Sequence, residues 1–388
     1  GRMVSINQLN IVIGISAAFF SNYLILALGE SGAPWTESIG LGEQGWRWML
    51  AVEALPAIAY FLALFGVPES PRWLVMQGRD DAAKAVVTRL RGPAQAEALL
   101  VQVHDSLAAE EELGQVGFRA LLHPSLRLVL TIGLAVGILQ QATGINAVFF
   151  YAPMIFEQTG VGTNAAFMQA VLVGLVNLLF TVVAMTLIDK LGRRPLLGFG
   201  LGGITVCMLL LAYGFGTATY KLDQQAIDAL SADIDRAEIA AVVDTTFHSD
   251  VEFREAVRAA IGVEAYKAHE SELVTAAIDA NPWLILVAIL GFVASFAMSI
   301  GPIMWVLFSE LFPNRVRGIA ISFVGLVNSA VAFLVTLTFP WELETLGNSL
   351  TFLIFAGIAL VGLLFVMRIL PETKGRSLEE LEALLARG

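Results

Sequence analysis

The sequence has little charge, a single cysteine and no cluster of basic residues, and each shortage excludes a class of protein. Charged residues make up 15% of the 388 positions, whereas soluble globular proteins carry about 25%. An ordinary soluble fold is therefore excluded. Cys207 is the only cysteine, so an internal disulfide is impossible. Without a basic stripe or a nucleic-acid motif, the chain is not expected to bind nucleic acid.

Apolar residues are what the chain has in abundance. They make up 57% of the sequence, and the mean hydropathy is +0.74. A helix needs about 17–25 mainly apolar residues to cross a bilayer. Eight stretches meet this requirement: residues 4–28, 48–66, 127–150, 165–188, 196–216, 283–308, 318–340 and 347–370. The sequence thus predicts an all-α polytopic membrane protein.

Lysine and arginine fall mainly on one side of the predicted spans. The other side holds only Arg47, Lys221, Arg236, Arg254, Arg258 and Lys267. Connections rich in Lys and Arg face the cytoplasm, so both chain ends are predicted to be cytoplasmic. We expect a multi-pass protein of the cell membrane, which is the inner membrane if the cell has two.

Two long connections divide the chain. Residues 69–126 are charged and alanine-rich, and they are predicted to form a cytoplasmic helical linker between a two-span segment, 1–68, and a six-span segment, 127–370. Residues 217–282 form an acidic insertion on the outer face, for which we expect two or three amphipathic helices. Its acids lack the mid-loop glycine of an EF-hand, so no metal is predicted. Residues 371–388 form a cytoplasmic tail.

Three amides interrupt the apolar run that follows the linker. Gln140, Gln141 and Asn146 lie where hydrocarbon is expected, and a buried amide without a partner costs about 1–3 kcal/mol. Asn146 falls well round an ideal helix from the two glutamines. The three therefore converge only if the helix loosens near Gly144, and Pro153 predicts a further break. Such a cluster suits a neutral, hydroxyl-rich ligand, but intramembrane amides also bridge neighbouring helices.

Further polar and aromatic side chains lie in other spans. Asn177, Trp305 and Asn328 add two amides and an indole, which together suit a pyranose: hydroxyls bond to amides, and the C–H face of the ring stacks on the indole. Small-residue stripes in these spans are also typical of packing seams. No nucleophile is paired with an acid or base inside the spans, so neither an enzyme nor a cofactor site is predicted.

Five motifs resemble those of the sugar porter family of the major facilitator superfamily, which includes bacterial xylose–proton symporters and animal glucose facilitators. They are PESPR at 68–72, QQATGIN at 140–146, DKLGRR at 189–194, GPIMWVLFSE at 301–310 with Arg317, and PETKG at 371–375. The resemblance covers the chain except residues 217–282. It departs at Phe150, where many members have tyrosine, and at Ser329, where many have tryptophan.

The resemblance implies twelve helices in two halves with a sugar bound between them. The start of the chain resembles the junction before the fifth helix, so eight of an expected twelve helices are present and the N-terminal part is missing. The implied activity is transport of a monosaccharide such as xylose or glucose by alternating access, with protons as co-substrate and the protein acting as a monomer in the lipid bilayer. A polyol (inositol) transporter and a non-transporting sugar sensor are the alternatives.

The resemblance also implies site residues. The sugar ligands would be Gln8, Gln140, Gln141, Asn146, Asn177, Trp305 and Asn328. A cytoplasmic salt-bridge network that locks the two halves together would comprise Arg2, Glu69, Arg72, Asp189, Arg193, Arg194, Glu310, Arg317 and Glu372. The alternative is that these arginines only satisfy the positive-inside rule.

Overall fold

The computed structural model describes residues 2–113, 117–161, 163–231, 234, 236–313 and 315–374. The N-terminal and linker helices are α1 (Arg2–Gly29), α2 (Pro34–Ser38), α3 (Gly45–Val52), α4 (Ala54–Leu64), α5 (Pro71–Met76), α6 (Asp80–Arg91) and α7 (Pro93–Leu113). Short 3-10 helices at Phe118–Leu122 and Pro124–Leu126 lead into the spans α8 (Arg127–Ala142), α9 (Ile145–Glu157), α10 (Thr163–Leu191) and α11 (Arg193–Gly216).

The rest of the chain consists of an insertion between α11 and α16 and the last spans. The insertion contains β1 (Thr219–Lys221), α12 (Gln224–Ala229), α13 (Arg236–Ile239), a 3-10 helix at Ala240–Val242, β2 (Thr246–Phe247), α14 (Asp250–Ile261), α15 (Val263–Ala277) and β3 (Ile278–Asp279). The remaining helices are α16 (Pro282–Met298), α17 (Ile300–Leu311), α18 (Arg317–Thr345) and α19 (Gly347–Ile369).

Eight helical segments of the described residues are long and apolar enough to cross a bilayer. They coincide with the eight predicted stretches, so the prediction of a polytopic helical protein is confirmed. The segment after the linker is longer than predicted, because it continues from Arg127 to Glu157 across the α8–α9 junction. The break predicted at Pro153 is wrong. Helix α9 passes through this proline, which removes one backbone donor but leaves the flanking helical hydrogen bonds in place.

The spans from α8 onwards share one hydrophobic core. Phe292, Phe308, Phe339 and Phe352 are fully buried within it. Helix α11 packs against α16 and α19, and a Cβ on Gly200 would collide with the Ser299 side chain. In lipid there is no hydrophobic driving force between helices, so their association depends on van der Waals packing. Small residues such as Gly200 allow the backbones to approach closely enough for it.

Helix α1 joins this bundle through α10. The Ser16 hydroxyl donates a hydrogen bond to the Gly174 carbonyl at 2.8 Å, and a Cβ on Gly174 would lie 3.0 Å from the Ser16 Cα. Helices α3 and α4, by contrast, bury none of their residues. The crossing at Gly174 therefore fixes the position of α1, and with it Gln8, relative to the later spans.

The linker between the second and third spans contains α5, α6 and α7 and has a small core of Leu74, Val75 and Ala83. Pro71 is the first residue of α5, and Gly92 (φ +85°) ends α6. Proline at a first helical position and glycine just past a helix end are the expected boundary residues. Residues 71–113 thus fold as three helices, and proline and glycine mark their boundaries.

The insertion at residues 217–282 folds around its own core, and we call it the cap. Tyr220, Phe253 and Tyr266 are fully buried there, and burial raises the pKa of the Tyr266 phenol. Within the described residues, its strands form a short antiparallel sheet in the order β2–β1–β3. The all-α prediction therefore needs a correction. Strand β1 enters the cap and β3 leaves it, so their pairing is non-local and helical periodicity gives no sign of it.

Hydrogen bonds join the cap to the end of α18 and the start of α19. Arg254, which is 5% exposed, donates a hydrogen bond to the Leu343 carbonyl at 3.3 Å and pairs with Asp250 at 3.6 Å. Asp250 in turn accepts hydrogen bonds from both the backbone and the side chain of Asn348 at 3.0 Å. A buried guanidinium needs such paired oxygens, so the cap and the α18–α19 turn form one connected unit.

Candidate functional site

The site begins where α8 ends and α9 starts. Gly144 separates the two helices and has φ +88°, a left-handed conformation that glycine adopts without strain. A Cβ there would also lie 3.1 Å from the Phe355 ring. The loosening predicted near Gly144 is thus confirmed, and it brings Asn146 round to the face of Gln141.

Four amides at this break form one hydrogen-bonded network. The Asn146 amide donates to Gln141 Oε1 at 2.9 Å. Gln141 Nε2 donates to Gln140 Oε1 at 3.2 Å and to Asn328 Oδ1 at 3.3 Å. Asn328 Nδ2 donates to Gln140 Oε1 at 2.8 Å. The structure therefore brings together four of the predicted ligands from three helices, α8, α9 and α18.

Backbone carbonyls complete the network, and sequence reasoning missed them. Gln140 Nε2 donates to the Gly301 carbonyl at 3.3 Å, and Asn328 Nδ2 donates to the Gly137 carbonyl at 2.8 Å. Both acceptors are glycines at close helix contacts: a Cβ on Gly137 would lie 2.9 Å from Val324, and one on Gly301 would lie 2.9 Å from Phe296. The sequence signal that could have indicated these acceptors is a glycine at a position facing a helix that carries an amide side chain.

Gln8 and Trp305 meet in a separate cleft between α1, α10 and α17. Ala184, Ile188 and Pro302 also line it. Its volume is about 20 Å³, which is room for about one water molecule. The Trp305 ring is 39% exposed and packs edge-on against Phe308, with ring centroids 6.0 Å apart. In this conformation the cleft is therefore too narrow for a monosaccharide.

Asn177 is not part of the amide network. It lies on α10 and is 4% exposed, and no side-chain hydrogen bond joins it to the network residues that the structure describes. Of the seven predicted sugar ligands, four are thus joined, two share the narrow cleft, and Asn177 stands apart.

The network supports both sequence interpretations. It bridges α8 to α17 and α18, as intramembrane amides do when they hold helices together. Each amide can also both donate and accept, so a polyhydroxylated ligand can replace amide–amide bonds one for one. Such an exchange leaves no buried polar group unpaired, and its net cost is small because each bond contributes only about 0.5–1.5 kcal/mol.

A charged cluster lies at the start of α11 and the end of α17, where we predict the cytoplasmic side of the membrane. Arg193 Nη2 is 2.7 Å from Glu310 Oε1, and the two side chains are 11% and 26% exposed. Thr373 donates to the second oxygen of Glu310 at 2.8 Å. Glu372 accepts from the backbone amides of Arg193 and Arg194, both at 3.1 Å. A carboxylate at the first amides of α11 satisfies unpaired donors and complements the helix dipole.

The remaining network residues are placed differently. Arg317 donates to the Phe312 carbonyl at 3.0 Å, Arg72 contacts Ser106 on α7 at 3.5 Å, and Glu69 is exposed. The side chains of Arg2 and Asp189 lie outside the described residues. Among the described side chains, the structure thus gathers Arg193, Arg194, Glu310 and Glu372, which come from the six-span segment and the start of the tail.

The family model described as "Sugar (and other) transporter" matches residues 1–232 and 259–385. The arabinose-proton symporter of Bacillus subtilis is 35% identical over 388 residues, which cover 99% of this chain and 68% of the symporter. The major myo-inositol transporter of the same bacterium is 32% identical over 382 residues, covering 98% and 67%. The chain thus spans about two thirds of the length of these relatives.

A solved structure is also similar. The xylose transporter of E. coli in a partially occluded inward-open conformation matches with a TM-score of 0.67 and 28% identity, covering 97% of this chain and 65% of that one. The internal stretch that the family model leaves unmatched, residues 233–258, belongs to the cap.

Proposed function

The chain belongs to the sugar transporter family, and from that premise we propose that it carries a monosaccharide across the membrane by alternating access. The observation that carries the proposal is the network of Gln140, Gln141, Asn146 and Asn328 beside a helix break. Broken helices and binding at mid-membrane are typical of secondary transporters. The family is one of transporters, so no catalytic role is assigned.

The substrate is a pentose or hexose, and protons are its co-substrate. Supporting this, the relatives include an arabinose-proton symporter and a xylose transporter. Gln8, Asn177 and Trp305 complete the binding site when the narrow cleft between α1 and α17 widens. A polyol transporter is the second candidate, because a myo-inositol transporter is also similar and amides do not distinguish ring hydroxyls.

The cytoplasmic charges act as a conformational lock. Arg193 and Glu310 are its centre, and Arg2, Glu69, Arg72 and Asp189 join them when the inner side closes. The protein works as a monomer in the cell membrane with both chain ends in the cytoplasm. That the chain provides eight of twelve helices remains a prediction.

Uptake into proteoliposomes tests the proposal. The full encoded protein is reconstituted, and radiolabelled xylose, arabinose, glucose and myo-inositol are offered with and without an inward proton gradient. We expect one or more of the monosaccharides to accumulate, and the gradient to stimulate this uptake. Uptake indifferent to the gradient would remove proton coupling, and uptake of myo-inositol alone would favour the polyol alternative.

A further inference from the structure

The cap builds a second cavity, well separated from the amide network. It lies between the last turn of α9 and the cap helix α15 and has a volume of about 280 Å³, close to the lower bound of about 300 Å³ for small-molecule pockets. Asn146 lies at the start of α9 and Gln158 directly follows its last residue, and twelve residues at 1.5 Å each span about 18 Å. The cavity therefore lies near the outer end of the span, away from the network.

One side chain in this cavity has an unmet bonding requirement. Gln158 is 8% exposed, and its Oε1 has no hydrogen-bond partner among the described residues. Its backbone amide is satisfied, because it donates to the Met154 carbonyl at 3.0 Å. A buried side-chain carbonyl oxygen without a partner is rare in folded proteins and needs an explanation. A ligand in the cavity that donates a hydrogen bond to this oxygen, reached by a rotation of the Gln158 amide, provides one.

The rest of the lining indicates the chemistry of that ligand. Glu157 and Glu270 supply acceptors, Lys267 supplies donors, and Ser271 supplies a hydroxyl that donates to Glu157 at 3.3 Å. Met154, Ala268 and Val274 form an apolar surface. Alternating donors and acceptors beside an apolar surface suit a molecule with several hydroxyls and a C–H face, as a sugar ring has.

We propose that this cavity is an outer sugar-binding site, at which a neutral monosaccharide is held before it reaches the amide network. The inference rests on the proposed function. It assigns a role to the cap, since Lys267, Glu270 and Ser271 all come from α15, while the α9 residues form the other wall. The cap thus contributes half of the binding site.

The first test compares Gln158→Leu with Gln224→Leu in the full encoded protein in proteoliposomes. Gln224 is exposed on the cap helix α12 and does not line the cavity, so the same substitution there is a matched control. We expect Gln158→Leu to raise the xylose or arabinose concentration for half-maximal uptake about three- to tenfold, with a smaller effect at saturating sugar. Gln224→Leu should leave uptake unchanged.

Equilibrium binding of radiolabelled xylose and arabinose separates the two sites. In a Gln141→Ala background, weak binding should persist and be lost when Gln158→Leu is added, but not when Gln224→Leu is added. If uptake by Gln158→Leu equals that of Gln224→Leu, the cavity holds only water and the outer site is refuted while the proposed function stands. If the unaltered protein neither binds nor transports these sugars, the proposed function fails as well.

Discussion

Replacing Gln141 with alanine is expected to reduce sugar uptake about 10- to 100-fold. Gln141 is the centre of the network, because it bonds to Gln140, Asn328 and Asn146. Its removal deletes a proposed sugar contact and leaves Asn146 Nδ2 and Asn328 Oδ1 without their bonds to Gln141. Each loss costs about 0.5–3 kcal/mol, and each 1.4 kcal/mol is a factor of ten. The measurement is the initial rate of radiolabelled xylose or arabinose uptake at a fixed amount of reconstituted protein.

Two further variants make this result interpretable. Gln102 is exposed on the linker helix α7, away from the network, so Gln102→Ala should transport normally. Asn146 makes one hydrogen bond in the network, so Asn146→Ala should reduce uptake less than Gln141→Ala. If Gln141→Ala inserts and elutes as the unaltered protein does and still transports at the normal rate, the amides only hold helices together. The binding-site assignment is then wrong.

Replacing Arg193 with leucine is expected both to destabilise the protein at the Arg193–Glu310 pair and to impair transport. Glu310 would keep its bond from Thr373 but lose the guanidinium 2.7 Å away. Breaking a fully buried pair costs about 3–5 kcal/mol, and an exposed pair about 0–1 kcal/mol. For side chains 11% and 26% exposed, we expect about 2–3 kcal/mol between these limits.

A double-mutant cycle measures this coupling. Arg193→Leu, Glu310→Gln and the double variant are compared by chemical unfolding of the purified protein, and a coupling of about 2 kcal/mol is expected. The control pair is Lys84–Glu97, whose nitrogen and oxygen are 3.5 Å apart and whose side chains are 52% and 80% exposed. Its coupling should stay below about 1 kcal/mol. Equal couplings in the two pairs would show that Arg193 serves only membrane orientation.

The spans and the helix break were predictable from local sequence. Apolar length alone predicted the eight spans, because a bilayer requires about 20 apolar residues for each crossing. On an ideal helix Asn146 falls well round from Gln141, so the two side chains can meet only if the helix loosens near Gly144. The left-handed φ of +88° at Gly144 provides this break. Both arguments use only residues close in the chain, where helical geometry is fixed.

Features that depend on distant parts of the chain were not predictable. The partners of Gln140 and Asn328 include the carbonyls of Gly301 and Gly137, and which helices meet at those glycines is a matter of tertiary packing. The pairing of β1 with β3 in the cap is equally non-local. The break predicted at Pro153 rested on the local propensity of proline alone, whereas the helical hydrogen bonds on either side of it keep α9 continuous.

Sugar counterflow tests the central claim, a carrier that alternates access to one sugar site, most directly. Proteoliposomes containing the full encoded protein are loaded with unlabelled xylose or arabinose and diluted into a trace of the labelled sugar without a proton gradient. A carrier with a site open to one side at a time exchanges label for unlabelled sugar. The account predicts a transient accumulation of label above its equilibrium level, absent in Gln141→Ala. Label that never exceeds equilibrium, with folded protein present, would contradict it.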